Sequence, residues 1–215
     1  MGSCIVISAG DFKLCDIEKK AGDLCIAVDG GYLYCKMLGL EPDFVVGDMD
    51  SLEEEVKKEV AKLELCHPER VIRLKPEKDD TDTLAALRLG LAQGYREFCI
   101  YGATGGRIEH TIANIQCLAF LKNQGAKGYL LEATNMLTVI QDETVGFQPS
   151  MEGYLSLFAL GERAEGVTIT GMKYPLEKAV ITHDFPIGIS NEFIGQTAQV
   201  TVEKGMLLVV VSWPE

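Results

Sequence analysis

The spacing of apolar residues changes once along this chain, near residues 130–137, and the change divides what the chain can fold into. Before it, short apolar runs end in Gly or Asp and are followed by helical patterns. The runs are Cys4–Ser8, Leu24–Val28, Phe44–Val46, Val71–Leu74, Phe98–Tyr101 and Gly128–Glu132. Between them the 3.6-residue period predicts helices over Tyr32–Leu38, Leu52–Leu65, Thr83–Ala92 and Thr111–Asn123. Ser51 followed by Glu54 reads as a capping box for the second helix, and Gly125 as the residue that ends the fourth. Strands alternating with helices mean βαβ units and a mainly parallel sheet. After the change the period is two: Tyr154, Ser156 and Phe158 alternate with Leu155, Leu157 and Ala159, and Val200 and Val202 with Thr201 and Glu203. Turns at Gly153, Gly161 and Gly205 complete an antiparallel sandwich or barrel. The expected architecture is an α/β N-terminal domain over 1–133 followed by an all-β C-terminal domain over 134–215.

Composition removes several function classes. The net charge of −12 opposes a phosphate backbone, so nucleic acid is not an expected partner. No apolar run approaches the roughly 20 residues of a membrane-spanning helix; Met206–Val211 reads as a buried strand. The N-terminus lacks a secretory pattern, and the expected compartment is the cytoplasm. Seven cysteines, all between Cys4 and Cys117 and none in a C-x-x-C pair, read as small buried hydrophobes rather than as a zinc site.

The chemistry gathers where the early strands end. Asp29-Gly30-Gly31 follows the second run, Gly47-Asp48-Met49-Asp50-Ser51 the third, and Lys78-Asp79-Asp80-Thr81-Asp82 the fourth. The fifth is followed by Gly102-Ala103-Thr104-Gly105-Gly106-Arg107. In a parallel sheet these ends converge on one edge, where ligands bind. Asp29, Asp48, Asp50 and Asp82 would then lie close together, and like charges ~4 Å apart repel by about 4 kcal/mol at an effective dielectric near 20. Mg²⁺ suits such oxygens, because it takes one or two carboxylates, waters and substrate phosphates. Asp48 and Asp50, two apart, would point the same way in an extended segment. Gly102, Gly105 and Gly106 would expose amide N–H groups to an anion, and Arg107 would fork onto phosphate oxygens. Together these are the parts of phosphoryl or pyrophosphoryl transfer. The Walker A and G-x-G-x-x-G patterns are absent.

Each piece also has a plainer reading. Asp50 or Ser51 caps a helix, Asp29-Gly30-Gly31 is a tight turn, and Thr81 or Asp82 opens the third helix. Gly105-Gly106 serves helix–sheet packing, and His110 is a helix-face residue. Four strand ends with acidic or glycine-rich turns favour the shared site.

In order and spacing these motifs resemble the thiamine pyrophosphokinase family across nearly the whole chain. The matching pieces are Asp29-Gly30-Gly31, the Pro42–Ser51 block, Lys78–Asp82, Gly102–His110 and a late Ser190-Asn191-Glu192-Phe193. The resemblance implies an α/β domain followed by a β-sandwich, a homodimer with active sites at its interface, and Mg²⁺-dependent conversion of ATP and thiamine to AMP and thiamine diphosphate. By position it implies Asp48, Asp50 and Asp82 as metal carboxylates and Asp29, Asp50, Asp82 and Arg107 as catalytic groups. It implies ATP contacts at Asp48, Thr81, Asp82, Gly102, Thr104, Gly105, Gly106 and Arg107, and thiamine contacts at Asp29, Ser190, Asn191 and Phe193. The family commonly has Asp-His after Gly-Gly-Arg-x; this chain has Glu109-His110, one methylene longer. The competing readings are a kinase or pyrophosphokinase of another small alcohol and a non-catalytic thiamine or nucleotide sensor.

Overall fold

A computed structural model of the chain describes residues 2–12, 17–50, 52–75 and 80–214. The chain divides into two compact units, one of Met1–Cys117 with Gln124–Glu132 and one of Leu118–Asn123 with Ala133–Glu215.

Unit 1 carries six parallel strands: β1 (Cys4–Ile7), β2 (Leu24–Val28), β3 (Phe44–Gly47), β4 (Val71–Arg73), β5 (Glu97–Tyr101) and β6 (Lys127–Leu131). Pairing sets them in the order β6-β5-β1-β2-β3-β4. All of β1 and β2 is buried, which explains why both read as unbroken apolar runs: a parallel sheet is covered on both faces. One face carries Ile5, Ile7, Cys25, Ala27 and Val45, packed with Cys35 of α1 (Gly31–Met37) and with Val56 and Val60 of α2 (Glu54–Cys66). The other face receives α3 (Asp82–Ala92), where Gly90 sits so close that a Cβ there would lie 2.6 Å from the Phe98 ring and 2.8 Å from Cys4 Sγ.

α2 starts two residues later than its period suggests. Its N-cap is Glu53, whose side chain makes no capping bond, and Glu54 is the first helical residue rather than the third. Leu52 is buried and pulls the chain into the core ahead of the helix, while Glu54 and Glu55 complement the positive end of the dipole. Ser51, the other half of the expected box, lies outside the described residues, as do Lys78 and Asp79. Conversely α4 (Ile108–Asn123) begins three residues early, directly after the glycine turn. Four of the described cysteines are buried; Cys66, the last residue of α2, is exposed, against the expectation of burial. No helix among the described residues is long and apolar enough to cross a membrane.

Unit 2 has two antiparallel sheets. One is ordered β12-β9-β14-β7, from β7 (Asn135–Gln141), β9 (Tyr154–Ala159), β12 (Asn191–Glu192) and β14 (Met206–Ser212). The other is β11-β10-β13-β8, from β8 (Thr144–Phe147), β10 (Arg163–Thr170), β11 (Leu176–Thr182) and β13 (Ala198–Thr201). Alternate residues of both, including Leu155, Leu157, Leu207 and Val209 from the first and Phe147, Ile169 and Val200 from the second, share one core. This is what the period of two encodes.

Candidate active site

β1 has β2 on one side and β5 on the other, so the strand order reverses beside it. Ligands of open parallel sheets bind at the carboxyl ends of strands flanking such a reversal. A cleft of about 390 Å³ lies there in unit 1. Its walls include Asp29, Thr81, Asp82 and the turn from Gly102 to Arg107, all singled out by sequence. Ser8, Asp11, Thr83 and Asn114 also line it and were not. Asp11 had a visible signal, since Ser8-Ala9-Gly10-Asp11 closes the first strand as the other acidic turns close theirs. Asn114 had none: it becomes a cleft residue only because its Nδ2 donates to Ala103 O at 2.7 Å.

Asp29 is the most strained and most perturbed group of the cleft. Its φ is +46°, a region costly for a residue with a Cβ, and it is held there by Asp29 N donating to Val46 O at 3.0 Å. Its Oδ1 is buried and has no hydrogen-bond partner among the described residues. A Cβ at residue 47 would fall 1.8 Å from that oxygen, so Gly47 is required for the carboxylate to sit where it does. Burial first, and then the Asp82 and Asp48 carboxylates, push the Asp29 carboxyl up to about 7, while the Met49 backbone N–H pulls it down.

The Asp48–Asp50 pair does not follow the extended geometry expected for it. Met49 has φ +64° and is buried, and the chain turns so that Asp50 N donates to Asp48 Oδ1 at 3.0 Å. The short acceptor of an Asp side chain folds back on its own backbone two residues on. Asp48 acts on Asp29 through its charge, whereas Asp50 is exposed and acts on Arg73. Asp48, Asp50 and Asp82 therefore do not stand as a ready-made three-carboxylate group, and among the described residues no set of three or more metal-ligating side chains does.

The glycine turn also departs from a simple anion cradle. Gly106 N donates to Asp11 Oδ2 at 3.2 Å, so one of its amides already faces a carboxylate. Glu132 at the end of β6 stands behind the turn; burial raises its carboxyl, and the Thr104 hydroxyl with the Thr104 and Ala103 amides works the other way. Thr81 caps α3, accepting from Leu84 N at 3.2 Å, as its plainer reading has it, and lines the cleft as well. Arg107 is exposed, and its Nε donates to Glu109 Oε1 at 2.6 Å. The longer Glu109 side chain is thus an Arg107 partner here, its carboxyl held low by its own backbone N–H and by Arg107.

The cleft is acidic on several sides, with Asp11, Asp29 and Asp82 in its lining and Asp48 acting on Asp29. Among the described residues no three of them stand together, but one or two carboxylates, such as Asp82 and Asp48, suffice for a hard divalent cation that completes its shell with water and substrate oxygens.

The late motif sits in unit 2 and is built differently. Ser190 is exposed, with φ +56°, and its N donates to Ser156 Oγ at 3.0 Å. Asn191 is buried, its amide spent on the backbone of Tyr174. Phe193 is 8% exposed and packs its ring 5.5 Å from that of Phe147, in the core. Phe193 also reaches the wall of a cavity of about 560 Å³ with Met151, Tyr154 and Trp213; Ser190 and Asn191 do not line it.

Comparison with known proteins agrees with both units. Residues 17–130 match the family model "Thiamin pyrophosphokinase, catalytic domain", and residues 138–207 match "Thiamin pyrophosphokinase, vitamin B1 binding domain". The thiamine pyrophosphokinase of Bacillus subtilis (strain 168) is 30% identical over 190 residues, 88% of this chain and 87% of that protein. A crystal structure of thiamine pyrophosphokinase from Bacillus subtilis superposes with a TM-score of 0.87 at 29% identity, covering 99% of this chain and all of that one. One from Geobacillus thermodenitrificans gives 0.83 at 29% identity, covering 100% of this chain and 99% of that one.

Proposed function

This chain belongs to the thiamin pyrophosphokinase family, and from that premise we propose that it transfers a pyrophosphoryl group from ATP to the hydroxyl of thiamine. The products are thiamine diphosphate and AMP. The observation that carries the reading is the strand-end cleft in which Asp29 is held, half-buried and strained, against Asp82 and Asp48, with Arg107 in the wall. A carboxyl raised to about 7 by burial and like charges is suited to taking a proton near neutral pH.

In this reading residues 1–133 form the α/β domain that takes ATP and the metal, and residues 134–215 the β-sandwich that takes thiamine. The thiamine hydroxyl oxygen attacks the β-phosphorus of ATP, the bond from that phosphorus to the oxygen bridging the α-phosphate breaks, and AMP leaves with that oxygen. Asp29 accepts the hydroxyl proton at Oδ1, the oxygen that has no partner among the described residues. Arg107 turns its guanidinium to the phosphates, with Glu109 orienting it through Nε. Thr81, Gly102, Thr104, Gly105 and Gly106 shape the wall along which the phosphates lie. Magnesium would be held through Asp48 and Asp82, which act on Asp29, together with phosphate oxygens, and would neutralise the triphosphate; Asp50, exposed, would reach it through water. Most of the acceleration is positioning and electrostatics. Ser190 belongs to the thiamine side, with Phe193 backing it from the core, and a homodimer completes the reading, supported by exposed apolar side chains on unit 2 such as Tyr154, Phe158, Tyr174 and Ile194.

The test is one reaction. Purified protein with ATP, thiamine and Mg²⁺, resolved by chromatography, is expected to give one AMP per thiamine diphosphate, and a chelator to abolish both. ADP with thiamine monophosphate would make it a simple kinase, and unchanged thiamine would overturn the substrate.

A further inference from the structure

The glycine turn between β5 and α4 is tied down at three successive carbonyls. Gly102 O accepts from Gly10 N at 2.7 Å and Thr104 O from Asp11 N at 3.0 Å, both donors lying in the segment that follows β1. Between them Ala103 O accepts from Asn114 Nδ2 at 2.7 Å, and this donor comes from α4, the helix into which the turn itself leads. Asn114 is 7% exposed and heads a buried stripe with Cys117, Leu118 and Leu121, where helical spacing calls for an apolar side chain. Its bond accounts for an amide at that position. Ala103 is buried too, and a buried carbonyl needs a donor.

Downstream of Thr104 the chain is loosely built. Gly105 and Gly106 are both left-handed, at φ +77° and +58°, and a Cβ at Gly106 would meet nothing within 4 Å. Glycine backbone restrains its neighbours least. Arg107 comes next, and its carbonyl accepts from His110 N at 3.1 Å and from Thr111 N at 3.4 Å, so Arg107 moves with the start of α4. Asp11 Oδ2 holds Gly106 N at 3.2 Å, but through an exposed side chain. The Asn114 bond is the buried tie: it joins α4 to the anchored end of the turn and bypasses the two glycines. We propose that Asn114 is a positioning residue for Arg107, fixing the first turns of α4 against Ala103 so that the guanidinium meets the phosphates at a set place. The inference rests on the functional reading above, in which Arg107 takes the phosphates.

The experiment is a double-mutant cycle of Asn114→Leu and Arg107→Ala in the full chain. It is read as separate KM values for ATP and thiamine, and as the affinity for inorganic triphosphate with Mg²⁺ by calorimetry. Leu continues the buried stripe and removes the donor, so a folded variant is expected, checked by denaturant unfolding. Asn114→Leu should raise the ATP KM and weaken triphosphate binding about tenfold, with the thiamine KM nearly unchanged. In the Arg107→Ala background it should add little, since both act through one guanidinium. Additive losses would make Asn114 an independent contact and overturn the proposal, and so would an unchanged ATP KM in the folded variant. If Asn114→Leu does not fold, Asn114→Ala, which removes the donor without adding bulk, carries the same expectations. A wild type that binds triphosphate yet does not convert thiamine would defeat the functional reading alone, and the triphosphate cycle then decides this one. A wild type that binds no triphosphate would overturn the role of Arg107 and the positioning with it.

Discussion

The acidic strand ends of unit 1 and the Ser190–Phe193 motif of unit 2 are both short polar signatures, but the fold treats them in opposite ways. At the strand ends polar demand is left open: Asp29 keeps a buried oxygen with no hydrogen-bond partner among the described residues, and burial, with its like-charged neighbours, pushes its carboxyl up to about 7. In the late motif the demand is met: the buried Asn191 amide is bonded to the Tyr174 backbone through both its oxygen and its nitrogen, and Phe193 is core. Open demand is costly to a fold and is kept where a reaction uses it; closed demand is architecture that carries something else.

The sharpest way to break this contrast is Asp29→Asn. If the open carboxylate does chemistry, the variant should fold and lose about 10²–10⁴-fold in turnover. Its stability should also change with pH in a defined sense. The folded pKa of Asp29 is raised, from about 3.9 in the unfolded chain to about 7. Its contribution is therefore full below about pH 4 and is lost as pH rises through about 7. Thermal unfolding from pH 4 to 8 should show the wild type losing ground to the variant, and a constant difference would mean that Asp29 is not strained by its charge.

Phe193→Ala tests the closed side. Removing a buried ring should cost about 3–5 kcal/mol of stability, measured by denaturant unfolding, with activity per folded molecule largely kept. A stable variant with a raised thiamine KM would instead return Phe193 to the ligand and blur the contrast. The smallest effect is expected for Glu109→Gln. The ion pair with Arg107 is exposed on both sides, so the melting temperature should not move, and only the ATP KM should respond, as Arg107 loses its orienting partner. A large drop in kcat would place Glu109 on the substrate itself.

Much of this was legible in the residues. The parallel sheet followed from unbroken runs such as Leu24–Val28, because strands buried on both faces have no polar face to alternate. The second unit followed from its period of two, because inward residues of β9 and β10 face one core. Asp29, Asp82 and Arg107 could be assigned to one edge, since parallel strands bring their ends together whatever the loops do.

Other features needed the folded chain. The turn of Asp48 onto the Asp50 amide depends on a left-handed Met49, which no pattern announces for a residue with a long side chain. Asp11 and Glu132 reach the glycine turn from other segments, and Asn191 spends its amide on Tyr174, 17 residues away. The sequence by itself determined which backbone periods form and which chemical groups end the strands, because those are local properties of residue type. Only the tertiary structure decided which polar groups are satisfied and which are left in need, because hydrogen bonding and desolvation are settled between segments distant in the chain.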